Sequence, residues 1–177
     1  MTILTTARLR LEPFNQSHLD GLQAMNSDPQ VMRYITGRAE TREETLASIA
    51  RVKARWDEWL FSWWVFIERD SHQIIGAGCI QHLERDAANP LEIGWRLRQD
   101  KWHQGFASEA AQEMARFAFE TFGVGTLCAV CHPDNKASEK VMQRLGMQFR
   151  AIEHWYDADM LTYAMTRADW DGRSQAR

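Results

Sequence analysis

At 177 residues, 45% apolar and 25% charged, the chain has the length and composition of one globular domain that can bury a core without disulfide or metal staples. A net charge of −3 supplies no general electrostatic reason to bind nucleic acid or an anionic membrane, so neither partner is expected. No apolar run is long enough to span a bilayer and the opening MTILTTARLRLEP is not a signal peptide, so a cytoplasmic protein with a single domain over 1–177 is expected.

In chain order, ARLRLEP alternates into Pro13 and predicts an opening strand. NQSHLDGLQAMN has Leu19, Leu22 and Met25 at helical spacing, with Ser17 as a candidate cap, and SDPQVMRYI predicts a short helix beginning at Pro29. TREETLASIARVKARWDEWL is the longest helical pattern, with Leu46, Ile49, Val52 and Trp56 on one face and Thr41 placed to cap it. The period then changes to two. WWVFIERDSHQIIGAGCIQHL reads as an antiparallel hairpin turning at Arg69 to His72. In the next strand, LEIGWRL, Leu91, Ile93, Trp95 and Leu97 share one face and Glu92, Gly94 and Arg96 the other.

A helix follows with Ala107, Ala110, Ala111, Met114, Phe117 and Ala118 on one face, ending before Gly123, and TLCAVCH is a further strand. DNKASEKVMQRLG is a helix with Asn135 as N-cap and Gly146 as left-handed C-cap. MQFRAIEHWY and DMLTYAMTR close the chain as a hairpin around Asp157–Ala158. The order predicts a mixed α/β (α+β) fold with about seven strands and helices on both faces.

Three cysteines, Cys79, Cys128 and Cys131, do not make a disulfide framework. The C-x-x-C lies on a strand with no second pair beside it, so buried cysteines are expected rather than a redox or metal site. Trp56, Trp59, Trp63 and Trp64 either line a pocket or fill a core.

The loop in KWHQGFASEAA stands between strand and helix. Gly105 removes a side chain where a ligand would approach, and Ala107 keeps the helix start slim. The amides of Gln104 to Ser108 would converge at the positive end of the helix dipole, a setting suited to a diphosphate. Neither a Walker loop nor a G-x-G-x-x-G fingerprint is present.

The segment EIGWRLRQDKWHQGFASEAAQEMARFAFETFGVGTLCAVCHPDNKASEKVMQRLGMQF resembles the acetyl-CoA-binding core of the GNAT N-acetyltransferases, more narrowly the RimJ/RimL-like branch. The superfamily loop Q/R-x-x-G-x-G/A reads WHQGFA here; Trp102 replaces Gln or Arg, a departure familiar in that branch, while Gly105 and Ala107 match. TARLRLEPFNQSHLDGL, SDPQVMRYI, QIIGAGCI and MLTYAMTRADW extend the likeness over nearly the full chain.

The resemblance implies the GNAT acyl-CoA N-acyltransferase fold with a splayed central parallel strand pair, and an acetyltransferase using acetyl-CoA as acetyl donor and no metal. The pantetheine arm would bond to the backbone around Trp95 and Leu97, and the pyrophosphate to the amides of Gln104, Gly105, Phe106, Ala107 and Ser108. His103 would belong to the same loop, with a weaker claim to act as a base. Asn135 would hold pantetheine or simply cap its helix.

For catalysis the resemblance implies Glu92 as general base; the competing reading is an ion pair with Arg96. Many relatives carry a tyrosine acid where this chain has Met142. The branch offers Ser138 instead, as a hydrogen-bond donor to the leaving thiolate or a plain helix-start residue. Tyr163 is a remote alternative. The acceptor is a primary amine: a protein amino terminus, or a small amine or amino-acid-like molecule. Its site would involve residues 32–38, 80–90 and 154–160, where Glu84, Asp86, Asp157 and Asp159, with Glu153 just before the last range, either attract a cation or form a solvated surface. The fold also admits a homodimer and, from a different class, a non-catalytic acyl-CoA-binding module.

Overall fold

The computed structural model describes residues 2–175. Its strands are β1 (Leu4–Thr5), β2 (Leu9–Pro13), β3 (Trp63–Glu68), β4 (Ile74–His82), β5 (Leu91–Leu97), β6 (Thr126–Cys131), β7 (Gln148–Trp155) and β8 (Ala158–Thr166). Its helices are α1 (Leu19–Asn26), α2 (Pro29–Met32), α3 (Arg42–Trp59), α4 (Phe106–Arg116), α5 (Lys136–Leu145) and α6 (Arg167–Gln175). The strands form one mixed sheet in the order β1-β2-β3-β4-β5-β6-β8-β7. That is eight strands rather than about seven. The addition is β1, two residues paired at Leu4 opposite Leu11 and too short to show a period of its own.

Two compact units divide the chain, residues 1–79 with 95–110, and residues 80–94 with 111–177. In the first, Leu9 and Leu11 of β2 alternate inward and pack in a core with Leu22, Met25, Ile49, Val52, Trp56 and Trp64, all buried. Trp56 and Trp64 meet edge to face at 4.9 Å, and their indoles donate to the Trp63 and Thr2 carbonyls. The core reading of the tryptophans therefore holds for these two. Thr41 and Glu44 form a reciprocal capping box at the start of α3. Leu46 departs from expectation: it is 42% exposed, and Thr45 is buried in its stead, its hydroxyl bonded to Gln23. Ser17 does not cap; Asn15 does, accepting from the Ser17 amide ahead of a short 3-10 turn that leads into α1.

Gly76 of β4 lets β5 come close. A Cβ there would lie 2.4 Å from Leu97 Cδ2, 2.8 Å from the Arg96 carbonyl oxygen and 2.8 Å from the Phe66 ring. Gly76→Ala is expected to lower unfolding stability by about 2 kcal/mol or more, by overpacking against backbone that cannot yield. A urea titration reads this directly; an unchanged midpoint would show that β5 can shift.

In the second unit α4 ends in a π-helical turn, Phe117–Thr121, which the 3.6 periodicity did not reveal. Phe119 there stacks on Trp170 of α6, a helix not expected from sequence. Asn135 and Gly146 cap α5 as expected, with Gly146 at φ +86. The closing hairpin turns at Tyr156–Asp157, one residue earlier than predicted; both have positive φ, 54° and 59°, as a two-residue hairpin turn requires. Cys79, Cys128 and Cys131 are free and buried. No helix of the described residues is long and apolar enough to cross a membrane.

Candidate active site

The loop before α4 turns on Gly105 at φ +85, preceded by His103 at φ +60. The Glu109 amide bonds to the Gly105 carbonyl at 3.0 Å, so the amides of Phe106, Ala107 and Ser108 precede this helical bond and are open to an anion. Phe106 points its ring into the core, while His103, Gln104 and Gly105 are exposed. The one carboxylate in this first turn, Glu109, is neutralised. It accepts from Thr6 Oγ1 at 2.5 Å and from the Arg8 amide and Nε at 2.8 and 2.7 Å. Against the upward push of burial, these bonds hold its carboxyl below the ordinary range.

Arg8 also donates to the Gln104 carbonyl at 3.0 Å and lies over the Phe106 ring at 4.1 Å. A guanidinium thus stands against the loop, from a residue 97 positions before Gly105 that sequence reading did not single out. The bare amides, the neutralised glutamate and Arg8 fit a diphosphate.

Trp102 has a second use. Its indole donates to the Leu97 carbonyl at 2.9 Å, fastening the loop to the end of β5. Just beyond that strand the Arg98 amide bonds to Ile75 of β4 at 2.9 Å, so alternation turns the backbone groups of Trp95 and Leu97 to the edge away from β4. On that edge the Leu97 carbonyl already serves Trp102, which leaves Trp95 the better placed of the two for an extended ligand. This refines the paired expectation. At its other end β5 meets β6 in a parallel ladder recorded at a single pair, Glu92 opposite Cys128, as a splayed central pair requires.

Glu92 is buried, 6% exposed. Gln81 Nε2 donates to its Oε1 at 2.7 Å, and the Tyr156 hydroxyl donates to the same oxygen in a short bond. Tyr156 is itself held: its amide donates to Glu84 Oε1 at 2.9 Å, and Arg85 lies over its ring at 5.5 Å. Burial pushes the Glu92 carboxyl above the usual range, opposed by the bonds from Gln81 and Tyr156 and by the charge of Arg85. The side chain therefore has amide and phenol partners in place of the Arg96 ion pair drawn from strand spacing. Arg96 lies against Trp63.

At the start of α5, Asn135 Oδ1 accepts from the Ser138 amide at 3.2 Å, the plain N-cap role. Ser138 and Asn135 are half-buried, and Met142 is buried with no donor to offer. Tyr163 is committed elsewhere: its hydroxyl donates to Glu139 Oε1 at 2.9 Å and accepts from Gln143. Burial pushes the Cys131 thiol up to about 11 and raises that of Cys128, so neither is a ready nucleophile. Glu84, Asp86, Glu153, Asp157 and Asp159 are exposed. Among the described residues no group of three or more His, Cys, Asp or Glu could hold a metal.

The family model described as an acetyltransferase (GNAT) domain matches residues 8–148. The chain belongs to the GNAT acetyltransferase family. It is 27% identical over 176 residues, 95% of this chain and 99% of the other, to the uncharacterized N-acetyltransferase YnaD of Bacillus subtilis. Among solved structures it resembles a GNAT-family acetyltransferase from Bacillus anthracis with a TM-score of 0.81 at 22% identity, covering 94% of this chain and 99% of that one. It also resembles the ribosomal L7/L12 α-N-protein acetyltransferase RimL in complex with coenzyme A, with a TM-score of 0.80 at 16% identity, covering 93% and 98%. These two likenesses establish the fold. The protein is an acetyl-CoA-dependent N-acetyltransferase.

Proposed function

We propose that this enzyme is a RimJ/RimL-like N-acetyltransferase whose 177 residues work as one catalytic domain in the cytoplasm, transferring acetyl directly to a primary amine with Glu92 as general base. The observation that carries this reading is the buried Glu92 carboxylate, which no cation among the described residues pairs directly and whose carboxyl burial raises above the usual range. A primary amine is mostly protonated at pH 7, and a carboxylate with a raised pKa is a better match for its proton. Acetyl-CoA supplies an activated thioester: the amine nitrogen bonds to its carbonyl carbon, the C–S bond breaks, and the sulfur leaves as a thiolate that takes up a proton from solvent.

The chain's own residues do the rest. Glu92 receives the proton that the amine loses, directly or through a water. Gln81 and Tyr156 hold its Oε1 and leave Oε2 for that task. The amides of Gln104, Gly105, Phe106, Ala107 and Ser108 bind the pyrophosphate, with Arg8 adding charge and His103 shaping the turn. Trp95 and, with its carbonyl shared, Leu97 bind the pantetheine arm; Asn135 keeps the start of α5 in order.

Ser138 donates a hydrogen bond to the departing sulfur. Ser138→Ala is then expected to lower kcat about tenfold with little change in KM for acetyl-CoA, as loss of one neutral donor to a developing charge should. An unchanged kcat would reduce Ser138 to a helix-start residue.

Thiol release from acetyl-CoA, with mass detection of products, against amino-terminal peptides, free amino acids and polyamines tests the whole reading. Acetylated product from any of these supports direct transfer to an amine. Acetyl-CoA binding without transfer to any of them contradicts it.

A further inference from the structure

Arg96 is an arginine without a conventional partner. Five others of the same unit, Arg8, Arg10, Arg38, Arg42 and Arg98, make ion pairs with carboxylates. Arg96 instead lies over the Trp63 ring, 4.6 Å from its centre. Its Nε is sealed from solvent and has no hydrogen-bond partner. The residue as a whole is half-buried, and its Nε is the one guanidinium nitrogen found both sealed and unpartnered among the described residues.

Glu40 acts on it electrostatically, but that carboxylate is engaged by Asn26 Nδ2 at 2.9 Å and Thr45 Oγ1 at 3.3 Å. Asn26 is itself fully buried, with its Oδ1 unsatisfied. Burial works against the guanidinium charge, so without a direct partner the arrangement costs stability.

A guanidinium held over an indole face is restrained in position, and its planar fork matches a carboxylate. We propose that Arg96 receives the carboxylate of the acceptor, so that the amine substrate is a small molecule of amino-acid type carrying both groups. This rests on the reading of the chain as an amine acetyltransferase and names its acceptor class. Glu40 reinforces the choice: its field disfavours a purely anionic ligand and tolerates one whose ammonium balances its carboxylate.

The test compares amino acids with their primary amides, which differ only in the carboxylate, alongside peptides with acidic or neutral first residues. Wild-type enzyme is expected to favour the free acids by about tenfold or more in kcat/KM, through KM. Arg96→Met should erase that preference while leaving turnover of the amides within about twofold, and Arg96→Lys should restore part of it. Calorimetric binding of the same pairs reads the site without chemistry. Carboxylate-dependent binding that Arg96→Met abolishes supports the site even if transfer fails, which separates it from the catalytic reading.

Three results overturn the inference. The first is amides as good as acids in both binding and turnover with wild-type enzyme, a comparison that needs no variant. The second is equal weakening of acids and amides by Arg96→Met, as a structural role would give. The third is binding and reaction of peptides alone, which would identify a protein amino terminus as the acceptor.

Discussion

Gly105→Glu is expected to abolish acetyl-CoA binding, with a rise in Kd of roughly 100-fold or more, while the protein stays folded. Two effects combine. At φ +85 any side chain is strained, at roughly 1–2 kcal/mol, and the added carboxylate faces the place where a diphosphate would sit. It would also compete for Arg8, whose Nη2 lies 3.4 Å from the position of a Cβ on this residue. Gly105→Ala separates these effects, because it carries the same backbone strain without charge, and its Kd should change by only about fivefold or less. Calorimetry with acetyl-CoA and with acetyl-pantetheine, which lacks the diphosphate, completes the test. The glutamate variant should lose affinity for the first far more than for the second. Wild-type affinity for acetyl-CoA in that variant would remove the loop from the site.

Glu92→Gln should lower kcat by about 10² to 10³ and remove the rising limb of the pH–rate profile. The sign follows from the raised carboxyl. Below its folded pKa Glu92 is protonated and cannot accept the amine proton, so wild-type activity grows as pH rises through that value.

Stability moves the other way. Because the folded state holds this proton more tightly than the unfolded chain, wild-type stability falls as pH rises from the ordinary glutamate range through the folded pKa. The glutamine variant lacks this loss and should melt at an equal or higher temperature than wild type at pH 8, while being far less active. Tyr156→Phe removes a bond that holds the carboxyl down. It should lower kcat about tenfold and move the rising limb to higher pH, a shift that a purely structural tyrosine would not produce. A profile unchanged in both variants would return Glu92 to a structural role.

Much of the local architecture was readable residue by residue. Thr41, Pro29, and Asn135 with Gly146 mark helix ends through local preferences and bonds made within a few positions. The loop at Gly105 was legible for the same reason, since a glycine between a strand and a helix leaves backbone amides bare. The π-helical turn at Phe117–Thr121 was hidden because its apolar residues satisfy the 3.6 period equally well. Leu46 was misplaced because Thr45 can be buried when Gln23 supplies an acceptor, a contact across 22 positions.

By itself, the sequence determined the order and type of most elements, the bare helix start at Gly105, the absence of a tyrosine at position 142, and the family likeness. Those properties depend on neighbours along the chain or on the identity of single residues. Tertiary structure decided the partners of the charged groups. Glu92 meets Tyr156 across 64 positions rather than Arg96 across four; Arg8 reaches Glu109 across 101; Arg96 is left against Trp63. Spacing along one strand names which residues share a face. A side chain long enough to reach several neighbours takes its partner from what the fold packs beside it and from how completely that packing excludes water.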